Sequence, residues 1–114
     1  MQKIINIFCV SLVIVFVAIN APVLANPTAE VGNGAAVFEA NCAGCHARGG
    51  NIVRRRRNLK LKALHRNQVD TTEAIASIVT NGKNNMSAYR DKLTSQEIES
   101  VAAYVLQRAE ERWK

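Results

Sequence analysis

Beyond its first quarter, the chain places apolar residues at helical intervals. Ala35, Phe38 and Cys42 recur at steps of three and four, which predicts an amphipathic helix from Gly32 into the Cys42 region. Gly49-Gly50-Asn51 should end it, because glycine accepts the left-handed conformation at a helix C-terminus. Asn58 to Arg66, with Leu59, Leu61 and Leu64, predicts a short second helix. Asp70-Thr71-Thr72-Glu73 offers a capping box with Asp70 as the cap. The helix that follows buries Ala74, Ile75, Ile78 and Val79 and stops at Asn81-Gly82. Thr94-Ser95-Gln96-Glu97 repeats the capping pattern before a stripe of Ile98, Val101, Ala102, Val105, Leu106 and Ala109. Arg108, Arg112 and Lys114 suit the negative end of that last helix dipole. Asn26 to Val31, which includes Pro27, has little periodicity and is expected to form a short mobile arm. No stretch alternates with period two, so the expected class is all-α.

The opening differs in kind. Lys3, the apolar run from Ile4 to Ala18 and the Val23-Leu24-Ala25 tripeptide have the form of a secretory signal over residues 1–25. Ile4 to Leu24 is also about the 20 residues a retained membrane anchor needs, but Asn20, Ala21 and Pro22 followed by Val-Leu-Ala favour processing. Residues 26–114 then form one domain. A core of that size is modest and profits from a large apolar prosthetic group. The formal net charge is +6, of which only Lys3 lies in the leader, so the exported polypeptide is basic. Of the three cysteines Cys9 also falls in the leader, which leaves Cys42 and Cys45. One short disulfide loop would be a poor framework for an exported fold, so the pair needs another explanation.

Cys42-Ala43-Gly44-Cys45-His46 is a complete C-x-x-C-H, the attachment pattern of c-type haem. Two sulfurs three residues apart on a helix face one side and can each add to a porphyrin vinyl group, with His46 delivered to the iron. A thioredoxin-like couple would need a strand before the motif and a βαβ context. A zinc site would need more ligands than these three, and beyond them residues 26–114 offer only His65 and acidic side chains. For the sixth iron ligand the inventory offers Met86, as Met1 lies in the leader, or His65. An isolated methionine is usually a core residue, but Met86 stands in the loop-forming run Asn81 to Ser87. His65, beside Arg66 and Asn67, reads as a solvent-facing helix residue. His/Met ligation fills both axial positions, which favours electron transfer over oxygen binding or peroxidase chemistry and gives a fairly positive potential.

Gly34 to His46, the Asn81-Gly82-Lys83 segment before Met86, the Val101-Ala102-Ala103-Tyr104-Val105-Leu106 stretch and Trp113 together resemble the cytochrome c6 family, soluble photosynthetic carriers that can replace plastocyanin. The resemblance spans residues 26–114. It implies a class I cytochrome c fold, with about four helices around one haem c. It also implies thioethers at Cys42 and Cys45, axial His46 and Met86, and a helix crossing at Gly34, Phe38 and Tyr104. Two departures stand out. Ser87 replaces the proline usual after the axial methionine, and Ile78 occupies a haem-edge position where the family commonly has glutamine. Such changes mark variant relatives of lower potential, which puts direct service to Photosystem I in doubt.

Arg54-Arg55-Arg56-Arg57, followed by Lys60 and Lys62, reads either as a solvated loop or as a docking patch for acidic surfaces of redox partners. The partners implied are membrane complexes such as cytochrome bf, Photosystem I or cytochrome oxidase. Nucleic acid is a poor candidate for an exported chain. The leading expectation is a non-enzymatic, monomeric electron carrier in the thylakoid lumen or periplasm, without stable membrane insertion once the leader is removed. A haem-based redox sensor in the same compartment is the alternative.

Overall fold

A computed structural model describes residues 27–114, with side chains from Asn33 onward; the leader assigned to residues 1–25 lies outside the described residues. Five α-helices follow in order: α1 (Pro27–Asn41), α2 (Ala43–His46), α3 (Leu61–Arg66), α4 (Thr72–Asn81) and α5 (Ser95–Glu110). Single 3-10 turns occupy Ala47–Gly49 and Arg55–Arg57. The only bridge of β type among the described residues joins Lys83 and Met86.

Two boundaries differ from the sequence reading. The expected arm at Asn26 to Val31 is helical from Pro27. Proline is tolerated in a first turn because the N–H it lacks has no intrahelical acceptor there, and its fixed φ already suits a helix. The helix expected to run through the cysteine motif instead breaks at Cys42, whose φ of −120° and ψ of −34° leave the helical region. Backbone bonds carry the chain across the kink: Cys42 N donates to Phe38 O at 2.8 Å and His46 N to Cys42 O at 2.9 Å.

The core lies where α1 crosses α5. Gly34 permits the approach: a Cβ there would lie 2.8 Å from Tyr104 Cβ and would collide with the Ser100 carbonyl. Phe38, 2% exposed, sits beside the crossing with its ring centroid 5.4 Å from Tyr104 and 5.3 Å from Trp113. Tyr104 and Trp113 meet edge to face at 6.3 Å, an arrangement aromatic quadrupoles favour. Val37, Val101, Ala102 and Val105 complete the packing. Phe38 and Tyr104 thus meet at the crossing as the resemblance implied.

The helix ends follow local chemistry. α5 has the full capping box, with Glu97 N donating to Thr94 Oγ1 at 3.2 Å and Thr94 N donating to Glu97 Oε2 at 2.8 Å. On α4 the cap is Thr71 and not Asp70: Thr71 Oγ1 accepts from Ala74 N at 3.1 Å. Asp70 instead pairs with His65 across the turn, at 2.5 Å from Nδ1. Either residue type can cap, and the carboxylate has the stronger alternative partner.

Candidate cofactor site

The kink after α1 turns the motif toward a partly open cavity of about 280 Å³, lined by Cys42, Cys45, His46 and Met86 together. Both thiols are free. Burial, reinforced by the neighbouring Cys45, pushes the Cys42 thiol up to about 11, so the unmodified side chain stays protonated at neutral pH. His46 Nδ1 lies 2.8 Å from the Gly50 carbonyl. A carbonyl only accepts, so Nδ1 carries the proton and Nε2 keeps its lone pair for a metal. Gly49-Gly50 therefore ends the helical segment and also fixes the imidazole tautomer.

The loop carrying Met86 is set by its backbone. Gly82 closes α4 at φ 72° and ψ 169°, a conformation essentially restricted to glycine. A Cβ there would stand 2.6 Å from Met86 O and 2.8 Å from Ala88 N. Lys83 and Met86 exchange two backbone hydrogen bonds, each 3.0 Å, which close the tight turn. Tyr89 N then donates to Val79 O at 2.9 Å, and Tyr89 Oη donates to Asn41 O at 3.1 Å, tying the loop to α4 and to the end of α1. Burial first, then the charges of Cys42 and Cys45 thiolates, raises the Tyr89 phenol above its ordinary value.

Phe38, Leu64, Ile75, Val79 and Val101 make much of the cavity wall apolar. Two thiols, an imidazole with a free Nε2 and a thioether lining one largely apolar cavity match the donor set of a covalently attached haem. Among the described residues no three His, Cys, Asp or Glu side chains converge as a separate metal ion would require. Ile78 lines the cavity, half-buried. His65 does not: its side chain is 59% exposed and faces Asp70.

Several contributors escaped the sequence reading. Trp113 Nε1 donates to Leu59 O at 3.0 Å, and the indole packs against Gly49, so the chain's penultimate residue braces the loop after the motif. Asn51, Val53, Arg54, Arg57 and Asn58 also line the cavity, which brings two of the four consecutive arginines to it. The sequence singled out Arg54 and Arg57 as part of a basic run, Asn51 as part of a helix stop and Asn58 as a helix start, but placed none of them at the cavity.

Residues 29–105 match the family described as "Cytochrome C oxidase, cbb3-type, subunit III". A "Cytochrome c6-like" protein of Nostoc sp. (strain PCC 7120) is 47% identical over the whole of both chains, and "Cytochrome c6" of the same organism is 42% identical over the same span. Among solved structures, cytochrome c6C from Synechococcus sp. PCC 7002 is 58% identical with a TM-score of 0.68, covering 69% of this chain and 96% of its own. Oxidized cytochrome c6A from Arabidopsis thaliana is 33% identical with a TM-score of 0.70, covering 75% of this chain and 95% of its own.

Proposed function

The chain belongs to the cytochrome c6 family, and on that premise we propose that it is a one-electron carrier holding one haem c at the cavity described above. Cys42 and Cys45 would hold the haem covalently through their sulfurs, and His46 and Met86 would bind its iron. The observation that carries this assignment is the convergence of those four side chains on one apolar cavity, with His46 Nδ1 held by the Gly50 carbonyl. When bound, the haem iron cycles between ferrous and ferric states.

The protein's part is to keep that cycle simple. Gly50 holds the His46 tautomer and the 82–86 turn holds Met86 in place, so both side chains would be available to the iron, which favours electron transfer over enzymatic chemistry. The apolar part of the wall, Phe38, Leu64, Ile75, Val79 and Val101, would pack against the cofactor and limit water there. Ile78 offers no amide to the cofactor, and Ser87 leaves the backbone after Met86 less constrained than a proline would. The family resemblance, in which such substitutions mark variant relatives of lower potential, supports a potential below that of relatives with glutamine and proline at those positions.

The carrier operates singly after removal of residues 1–25, in the thylakoid lumen or periplasm, as a single domain over residues 26–114. Among the described residues no helix is long and apolar enough to cross a membrane. Its reaction partners are membrane complexes with acidic docking surfaces, such as cytochrome bf on the donor side and Photosystem I or a terminal oxidase on the acceptor side.

A spectroscopic redox titration of protein expressed with a haem-attachment system tests the assignment. Covalent low-spin haem that is six-coordinate in both oxidation states is the expected result. Absence of covalent haem, or a high-spin iron that binds peroxide, would overturn it.

A further inference from the structure

Helix α5 ends in a Schellman turn without the usual glycine. Arg112 N donates to Ala109 O at 3.1 Å and Trp113 N to Arg108 O at 2.7 Å, the two reversed bonds of that turn. The residue that turns the chain is left-handed and is most often glycine; here it is Arg112 at φ 59°, and Trp113 follows at φ 56°. Two consecutive residues with side chains in that region are strained, so other contacts must hold them there.

Arg108 supplies those contacts. Its Nη1 donates to Glu111 Oε2 at 2.8 Å and its Nη2 donates to the Lys114 carbonyl, so one guanidinium spans the turn. Gln107 Nε2 donates to the other carboxylate oxygen of Glu111 at 3.1 Å. The Arg108 side chain is 25% exposed, and its Nε is buried without an acceptor among the described residues. The head group is therefore packed in place, which lessens the entropy lost in closing the clasp.

The hooked segment delivers Trp113 to the loop after the motif. Its indole donates to Leu59 O and lies against Gly49, and Leu59 N in turn donates to Gly49 O at 2.8 Å. The next carbonyl along the chain, that of Gly50, is the one that meets His46 Nδ1. We propose that Arg108 and Glu111 are positioning residues for His46: their clasp holds the hook, the hook seats Trp113 on the paired Gly49 and Leu59, and that seat keeps the Gly50 carbonyl on Nδ1. A carbonyl acceptor at Nδ1 makes an imidazole more basic, and a more basic axial ligand favours the ferric state. The hook thus lowers the potential. The role of His46 as ligand rests on the electron-carrier reading, whereas the clasp and the hook do not.

The test compares haem-loaded wild type with Glu111→Ala and with Glu110→Ala, which removes the same charge from an exposed neighbour outside the clasp. In reduced protein, Glu111→Ala should speed solvent exchange of the Trp113 indole N–H and of His46 Nδ1–H by roughly fivefold each. It should also raise the potential, with helical circular dichroism and the absorption band of methionine ligation unchanged. Glu110→Ala should do none of this; equal effects in the two variants would overturn the proposal. Glycine adopts the left-handed conformation freely, so adding Arg112→Gly should restore slow exchange to Glu111→Ala. Exchange that stays fast in the double variant would overturn the proposal, because the clasp would then not be what offsets the strain. Faster Trp113 exchange with His46 exchange and potential unmoved would leave the clasp structural and overturn its positioning role. Wild-type protein whose spectrum lacks covalent, histidine-ligated haem would overturn the carrier reading and the role of His46 with it; unchanged exchange in a normally ligated Glu111→Ala would overturn the hook alone.

Discussion

The α1–α5 crossing and the Met86 turn both bound the cavity, yet they are held by different physics. At the crossing, aromatic rings from three parts of the chain are packed around a glycine, and specificity lies in side-chain shape. At the turn the neighbours are polar and half-exposed, and position is set by backbone bonds and by one glycine conformation. The first should therefore respond to loss of volume. The second should respond to changes in allowed dihedral angles.

The sharpest separation comes from Phe38→Ala. Removing a ring that is 2% exposed should cost about 3–5 kcal/mol in denaturant unfolding of the haem-loaded protein. If Met86 ligation survives in the folded variant, the two regions are independent; if it is lost with folding intact, they are coupled. Gly82→Ala should cost about 1–3 kcal/mol, and its main effect should be local. The added Cβ displaces the Met86 carbonyl, so the absorption band of thioether-ligated ferric haem should weaken or vanish while helical circular dichroism remains. An unchanged band would refute backbone control of the turn.

Trp113→Phe keeps an aromatic ring but removes the hydrogen bond to Leu59, and should cost about 1 kcal/mol in the same unfolding assay. A much larger loss would mean that ring fit, not the bond, is what braces the loop. Ile78→Gln is expected to have the smallest effect on stability, because the position is only half-buried. Its effect should appear in the potential, as an upward shift on the order of 60 mV, about tenfold in the one-electron equilibrium constant. No shift would remove Ile78 from the determinants of potential.

What the sequence revealed divides along the same line. Helical period exposed α4 and α5, and the C-x-x-C-H pattern with a single methionine in residues 26–114 exposed the candidate ligands. Those signals are local, or depend on residue inventory. The break at Cys42 was hidden because a kink sustained by two ordinary helical hydrogen bonds leaves no periodic trace. Thr71 displaced Asp70 as cap because His65, distant in the pattern, engages the carboxylate. Trp113 bracing Leu59 and Arg54 reaching the cavity depend on tertiary closure, which spacing along the chain does not encode.

Trp113 has a further consequence, for the order of events during synthesis. The ring that supports the loop after the motif is at position 113, and the helix that meets Gly34 spans Ser95–Glu110. Closing contacts that join the two ends of a chain requires both ends to be free in the same space. A polypeptide emerging N-terminus first thus exposes Cys42, Cys45 and His46 well before the walls that enclose them can assemble. That interval would leave both thiols accessible for haem attachment before Trp113 braces the loop.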